Sequence, residues 1–234
     1  MSELTGKVAI VTGAAGNLGR AVCQTLAARG ASIALLGRHA EALEAARAGL
    51  GESAAFAVDL VDPRGLEQTV AAVRARFGRI DILANIAGGF TMGPPLHQTS
   101  DQDWDRMMDL NARSVFNACR AVIPHLLAAG GGRIVNIAAR AALKGQGHMA
   151  PYCAAKAVVV RLTESLAEEH RDDGINVNCI LPGTLDTPEN RAAMPDADHG
   201  RWVGTDALAD VVLFLVSDAS RAISGAAIPV YGRS

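Results

Sequence analysis

The chain has 234 residues, of which 50% are hydrophobic, 20% are charged and 4% are aromatic, and its formal net charge is -2 at pH 7. This composition is typical of a soluble globular protein and excludes a disordered chain. Because Lys and Arg form no long runs, we expect no nucleic-acid partner. The first apolar stretch, Val8 to Val11, is too short for a signal peptide or a membrane span, so we expect no membrane association and a cytoplasmic location.

The cysteines and histidines show no metal-ligand spacing. Cys23, Cys119, Cys153 and Cys179 are widely separated and form no CxxC pair, and the six histidines form no HExxH motif. We therefore predict no metal and interpret the cysteines as small core residues in a reducing compartment.

Short β-branched apolar runs alternate along the chain with longer segments of helical periodicity. The predicted strands are Lys7–Thr12, Ser32–Leu36, Ala54–Val58, Ile82–Ala84, Arg133–Ile137, Ile175–Leu181 and Ala226–Val230. The predicted helices lie near Leu18–Arg29, Ala40–Ala48, Pro63–Phe77, Asp101–Ala128, Pro151–His170 and Thr205–Ser217. This order predicts one α/β domain over residues 1–234, a Rossmann-type, doubly wound parallel sheet of about seven strands with helices on both faces. The polar segment at about 184–204 predicts a lid over a site.

A glycine-rich turn follows the first predicted strand and opens the first helix. Glycine lets the backbone bend sharply and approach a pyrophosphate, whose charge is met by N–H groups at the start of the helix. The turn therefore predicts a dinucleotide site, and a tight turn without a ligand is the alternative. Its candidate cofactor-binding residues are Gly13, Ala15, Gly16, Asn17, Leu18 and Gly19.

The ends of the second and third strands bear on the choice of cofactor. An acidic residue after the second strand usually binds the ribose hydroxyls of NAD, whereas a cation suits the 2′-phosphate of NADP. Gly37 and Arg38 stand there, so the sequence favours NADP(H), with NAD(H) as the alternative. Asp59 ends the third strand and is a candidate to accept a hydrogen bond from the adenine amino group. The alternative is that Asp59 is the N-cap of the helix that follows.

Tyr152 and Lys156 lie four residues apart on a predicted helix and therefore on one face of it. A nearby cation favours the phenolate, so we expect the lysine to lower the pKa of the tyrosine and to prepare it for acid or base work. The pair follows the fifth strand, where the carboxyl ends of parallel strands form a crevice.

Together these motifs make the chain resemble the short-chain dehydrogenase/reductase family over essentially its whole length. The resemblance is carried by residues 12–19, Asp59, the NIAG segment Asn85–Gly88, Asn111, the IVNI segment Ile134–Ile137, the YCAAK segment 152–156 and the Pro182–Gly183 pair.

The resemblance implies an NAD(P)-dependent oxidoreductase acting on a small molecule. It further implies that Tyr152 is the general acid or base, that Lys156 holds the nicotinamide ribose and tunes Tyr152, and that Asn111 organises a water chain. It adds these cofactor contacts: Leu60, Asn85, Ala87, Gly88, Pro182, Gly183, Thr184 and Thr187.

Three positions depart from the family pattern. The serine usually found thirteen residues before the tyrosine is Ala139, so no hydroxyl holds a substrate carbonyl there. Losing such a donor costs about 10²–10³ in rate, which argues against an ordinary ketone reaction. Ile86 replaces a second asparagine, and Asn17 replaces a glycine, which we expect to be mild because asparagine tolerates positive φ.

The C-terminal half also resembles the dihydropteridine reductases, through residues 141–156, 181–198 and Trp202. These relatives do without the serine, and the resemblance implies a quinonoid dihydropterin or another C=N or quinone-like acceptor. The alternatives are a carbonyl or 3-oxoacyl-type reductase and a catalytically silent, cofactor-binding regulatory protein. Two long predicted helices, near Asp101–Ala128 and Pro151–His170, are rich in Ala, Val and Leu, and in relatives such helices pack across a two-fold axis. The family resemblance therefore implies a homodimer or homotetramer.

Overall fold

A computed structural model describes residues 3–233 of the chain and contains one large parallel sheet. Its strands are β1 Val8–Thr12, β2 Ser32–Gly37, β3 Ser53–Ala57, β4 Ile82–Asn85, β5 Gly132–Ile137, β6 Ile175–Pro182 and β9 Ala227–Val230. They run in the spatial order β3-β2-β1-β4-β5-β6-β9, and every neighbouring pair is parallel. The predicted Rossmann-type fold is confirmed.

The helices cover both faces of this sheet, and each face has its own apolar core. Helices α1, α2 and α8 contribute Val22, Leu43 and Leu208 to one core. Helices α3, α5 and α6 contribute Val70, Val122 and Val159 to the other. These helices are α1 Asn17–Ala28, α2 Ala40–Arg47, α3 Pro63–Phe77, α5 Ser114–Ala128, α6 Ala150–Glu169 and α8 Thr205–Val216, and a further helix, α4, spans Asp101–Met108. Within residues 3–233, no helix has the length and apolar character needed to cross a bilayer.

The single helix predicted over Asp101–Ala128 is wrong in one respect, because a π-helical turn at Asp109–Arg113 separates α4 from α5. The side-chain amide of Asn111 donates to the Met107 carbonyl at 3.1 Å, which is the acceptor that the Asn111 N–H would use in a regular α-helix. The main chain therefore widens locally, as π-turns do at many functional sites.

The segment predicted as a lid contains regular secondary structure, and its action as a lid stays a prediction. It contains strand β7 at Leu185–Asp186, helix α7 at Pro188–Ala193 and strand β8 at Val203–Gly204. Strands β7 and β8 pair in parallel, and the Val203 N–H donates to the Thr184 carbonyl at 2.9 Å. The two ends of the segment are thus tied together beside the end of β6.

Candidate active site

A cleft of about 1980 Å³ lies at the carboxyl ends of the strands, between the glycine-rich turn and the lid segment. Most of the residues predicted from the sequence line it. They are Gly13, Ala15, Gly16, Asn17, Leu18, Gly19, Arg38, Asp59, Leu60, Ala87, Gly88, Tyr152, Lys156, Pro182, Gly183, Thr184 and Thr187. The side chains of Asn85 and Asn111 do not belong to this lining and have other contacts, described below.

The glycine-rich turn is closely packed and has no room for side chains at two positions. A Cβ on Gly13, whose φ is +64°, would lie 2.8 Å from the Ala87 Cα, and a Cβ on Gly19 would collide with the Gly13 carbonyl oxygen. Gly16 is the N-cap of α1 and offers no side-chain acceptor to the first N–H groups of the helix. The turn therefore presents backbone donors at a positive helix end, which suits a pyrophosphate.

Asn17 does not take the positive φ for which asparagine was expected to be suited. Among the described non-glycine residues only His148 has a positive φ, and Asn17 is instead the first residue of α1. Its Nδ2 donates to Glu189 Oε2 at 2.7 Å. Asn17 thus connects the glycine-rich turn with α7 of the lid.

Thr12, at the end of β1, holds the loop that follows β4. Its Oγ1 accepts hydrogen bonds from the Ile86 N–H at 3.1 Å and the Ala87 N–H at 3.2 Å. This contact places Ala87 and Gly88 beside the turn. The parallel pairing of β1 with β4 brings the two strand ends together.

Asn85 lies below the cleft and is 2% exposed. Its Nδ2 donates to Asn136 Oδ1 at 2.9 Å, and Asn136 Nδ2 donates in turn to Thr163 Oγ1 at 2.9 Å. These three residues join β4, β5 and α6. The structure thus gives the Asn85 side chain a role in the sheet rather than a place on the cleft wall.

Arg38 and Asp59 lie at the end of the cleft next to β2 and β3, and both are exposed. Within residues 3–233, Arg38 has no hydrogen bond or ion pair. Asp59 is not the N-cap of α3, because Asp62 takes that place and accepts from the Arg64 N–H at 3.1 Å. Asp59 Oδ1 instead accepts from the Val61 N–H at 3.0 Å, which leaves its second carboxylate oxygen for a ligand.

Tyr152 and Lys156 stand in the first two turns of α6, which begins at Ala150. Lys156 is 4% exposed, and its Nζ donates to the Ile137 carbonyl at 2.8 Å while lying 5.9 Å from the centre of the Tyr152 ring. Burial lowers the pKa of Lys156 to about 8. Burial also raises the pKa of Tyr152 to about 12.

The expectation that Lys156 lowers the pKa of Tyr152 is therefore wrong for this structure. The Lys156 ammonium group donates to a main-chain carbonyl, and the loss of hydration on burial raises the pKa of the Tyr152 phenol. Tyr152 is a neutral phenol at physiological pH, which is the form that can donate a proton.

Asn111 is fully buried, and its side chain holds the backbone that follows β4 close to Lys156. Its Nδ2 donates to the Gly89 carbonyl at 3.0 Å, and its Oδ1 accepts from the Gly89 N–H at 3.1 Å. A Cβ on Gly88 would lie 2.9 Å from Asn111 Oδ1 and 3.1 Å from Lys156 Nζ. In this structure Asn111 is a positioning residue, and the water chain stays a prediction.

Ala139 is packed into a small apolar cluster with Ala141, Cys153, Met149 and Tyr152. It is 7% exposed, and its methyl group stands where a hydroxyl was expected from the family pattern. The site thus has the Tyr152 phenol and no hydroxyl from residue 139 to bind a substrate oxygen.

Several apolar residues on the cleft wall were not predicted from the sequence. Phe90 meets the Tyr152 ring edge to face, with 5.0 Å between the ring centres. Met92, Met149 and Met194 also line the cleft. Phe90 could have been predicted from the sequence, because it closely follows the end of β4. The methionines could not, because they come from separate segments of the chain.

Known proteins match this chain over nearly its whole length. The model of the short chain dehydrogenase family matches residues 7–198. The chain is 38% identical to D-threitol dehydrogenase of Mycolicibacterium smegmatis, over 98% of this chain and 93% of that protein. It is 35% identical to 3-oxoacyl-(acyl-carrier-protein) reductase FabG of Escherichia coli, over 97% and 96%. Among solved structures, NAD+-bound xylitol dehydrogenase matches with a TM-score of 0.92 and 30% identity, over 98% of this chain and 99% of that one.

Proposed function

Because the chain belongs to the short-chain dehydrogenase family and is an NAD(P)-dependent oxidoreductase, we propose that it uses NADPH to reduce a flat, conjugated acceptor. Acceptors of this class include a quinonoid dihydropterin, another C=N compound and a quinone. The observation that carries the proposal is Ala139, which puts a methyl group beside Tyr152 in place of a hydrogen-bond donor.

The residues of the cleft fit an NADP cofactor. The turn at Gly13 and Gly19 excludes side chains and offers N–H groups to a pyrophosphate. Arg38 is exposed and unpaired within the described chain, so its guanidinium is available for a 2′-phosphate. When bound, the nicotinamide supplies the hydride. Asp59 has a carboxylate oxygen free for the adenine amino group.

Tyr152 supplies the proton. The acceptor gains one hydride and one proton, and the proton leaves the Tyr152 hydroxyl. At neutral pH Lys156 is charged, because its pKa is about 8, and its Nζ stabilises the phenolate that remains. A conjugated acceptor spreads the charge that develops during reduction, so the missing hydroxyl costs less than it does with a ketone.

Similarity to the Escherichia coli reductase favours a second candidate, a carbonyl or 3-oxoacyl-type reductase. Reduction of a carbonyl places negative charge on a single oxygen, and Ala139 offers that oxygen no hydrogen-bond donor. Ala139→Ser separates the two candidates. Under the proposed function it raises turnover of simple ketones by about 10²–10³-fold, the scale of one oxyanion donor, and changes turnover of conjugated acceptors little.

The test measures oxidation of NADPH by the purified protein with quinonoid dihydropterin, quinones and simple ketones. We expect turnover with one or more of the conjugated acceptors and much slower turnover with ketones. Efficient reduction of simple ketones by the unchanged protein would favour the second candidate. Tight binding of NADPH without turnover of any acceptor, unchanged by Tyr152→Phe, would indicate the silent regulatory protein instead.

A further inference from the structure

Apolar side chains line part of the cleft, and two of them, Phe90 and Met149, pack near Tyr152. We define the methionine wall as Phe90, Met92, Met149 and Met194, which all line the cleft. Met92 is 61% exposed and Met194 41% exposed, so their side chains face open space rather than the core. Thioethers are flexible and polarizable and adapt to flat apolar groups of different outline. This wall suits an aromatic body better than a polyhydroxylated chain.

Besides Arg38, a second cation without a partner among the described residues lies on the same cleft. Lys144 lines the cleft, is exposed and makes no hydrogen bond or ion pair within residues 3–233. The other two lysines of the chain are both engaged: Lys7 lies 3.4 Å from Asp81, and Lys156 donates to the Ile137 carbonyl. Of the three lysines, Lys144 is therefore the one whose ammonium group has no partner within the described residues.

The segment that carries Lys144 also carries Ala139 and leads into Tyr152. It contains a second cleft-lining cation, Arg140, whose guanidinium lies 5.0 Å from the centre of the Tyr231 ring. Between Ala139 and Tyr152 the sequence has no acidic residue. The local charge along this side of the site is positive.

The residues of α4 and the π-turn that line the cleft carry charges of both signs. Arg106 lies 3.7 Å from Asp103, and Asp109 lies 2.7 Å from Arg113, so these four charges are paired. Asp105 also lines the cleft and adds one negative charge on that side. A ligand with an anionic end is therefore directed toward the segment of Lys144.

From these contacts we infer that Lys144 binds an anionic group, such as a carboxylate, on a substrate whose flat body packs on the methionine wall. The inference rests on the proposed function, since it assigns a substrate class to the same site. The ammonium group would act on binding and leave the proton transfer to Tyr152.

The test compares two probes of equal shape and different charge. Naphthalene-2-carboxylate and naphthalene-2-carboxamide are titrated by calorimetry into the protein saturated with NADP+. We expect the carboxylate to bind about fivefold more tightly than the amide, the scale of an ion pair at a solvent-accessible site. Equal binding, tighter binding of the amide, or no binding of either probe would overturn the inference.

Three variants assign the effect to one residue. Lys144→Gln is expected to remove the preference for the carboxylate, and Lys144→Arg is expected to keep it. Arg74→Gln removes an exposed cation on α3 that does not line the cleft, and it should leave the preference unchanged. A preference that survives Lys144→Gln, or is lost equally in Arg74→Gln, would contradict the inference. Because the readout is binding, its failure is distinct from a failure to find turnover.

Discussion

Asn17 Nδ2 donates to Glu189 Oε2 at 2.7 Å, across 172 positions of sequence, and joins the glycine-rich turn to the lid helix α7. The residue that departs from the usual glycine of the turn is therefore the one that contacts the lid. Both side chains are exposed, so the contact contributes little to the stability of the folded chain.

We expect Asn17→Ala and Glu189→Ala each to speed the release of NADPH about threefold, the scale of one exposed charge-assisted hydrogen bond. Stopped-flow fluorescence of the bound cofactor measures this rate. Glu189→Gln keeps an acceptor oxygen and is the matched control. The double alanine variant should release NADPH no faster than either single variant, and additive effects would argue against direct coupling.

Tyr152→Phe removes the proton donor and leaves the ring in contact with Phe90. We expect kcat to fall by about 10²–10⁴-fold, the usual contribution of general acid catalysis. The dissociation constant of NADPH should change less than about threefold, because the hydroxyl contributes little to binding a cofactor held mainly by backbone donors. A variant with nearly unchanged kcat would remove Tyr152 from the mechanism.

Arg38→Ala tests the preference for NADP. Loss of a charged hydrogen bond to the 2′-phosphate should weaken NADPH binding about tenfold or more, while NADH binding stays nearly the same. Equilibrium titration with both cofactors gives the two constants. Equal weakening of NADPH and NADH, or a wild-type preference for NADH, would contradict the assignment.

The buried ammonium group of Lys156 makes stability depend on pH. Burial lowers the pKa of Lys156 from 10.5 to about 8, so between these values the unfolded chain binds more protons than the folded one. Stability from this group must therefore rise with pH, by about 2 kcal/mol from pH 8 to pH 10. Below pH 8 the full cost of burying the charge is present.

Lys156→Met is the comparison that isolates this contribution. Burial raises the pKa values of Cys23 and Cys119 to about 12 and that of Cys179 to about 11, so these thiols lower stability as pH rises above 9. They are present in both proteins and cancel in the difference. Urea unfolding at pH 8 and pH 10 should show the variant losing its stability advantage at the higher pH, and a constant difference would contradict the lowered pKa.

The strands were predictable to within one residue at each end, because buried parallel strands are continuous apolar runs. The glycine-rich turn and the Tyr152–Lys156 spacing were predictable because each is a local pattern. The π-turn was not, since it depends on the side chain of Asn111 bonding to Met107 and Gly89.

Contacts between segments that are far apart in the sequence could not be predicted from local patterns either. Asn17 meets Glu189 only in the folded chain. The pKa of Tyr152 depends on how the folded protein excludes water from the phenol, and the four-residue spacing to Lys156 carries no information about that.

The hydrogen-bonded series Asn85, Asn136 and Thr163 makes three positions depend on one another during sequence divergence. Replacing Asn85 or Thr163 by an apolar residue leaves one end of the buried Asn136 amide without its partner, at a cost of about 1–3 kcal/mol. Replacing all three by apolar residues of matching shape avoids that cost. Relatives should therefore keep the polar trio whole or exchange it whole, and sequences that differ at one of these positions should be rare.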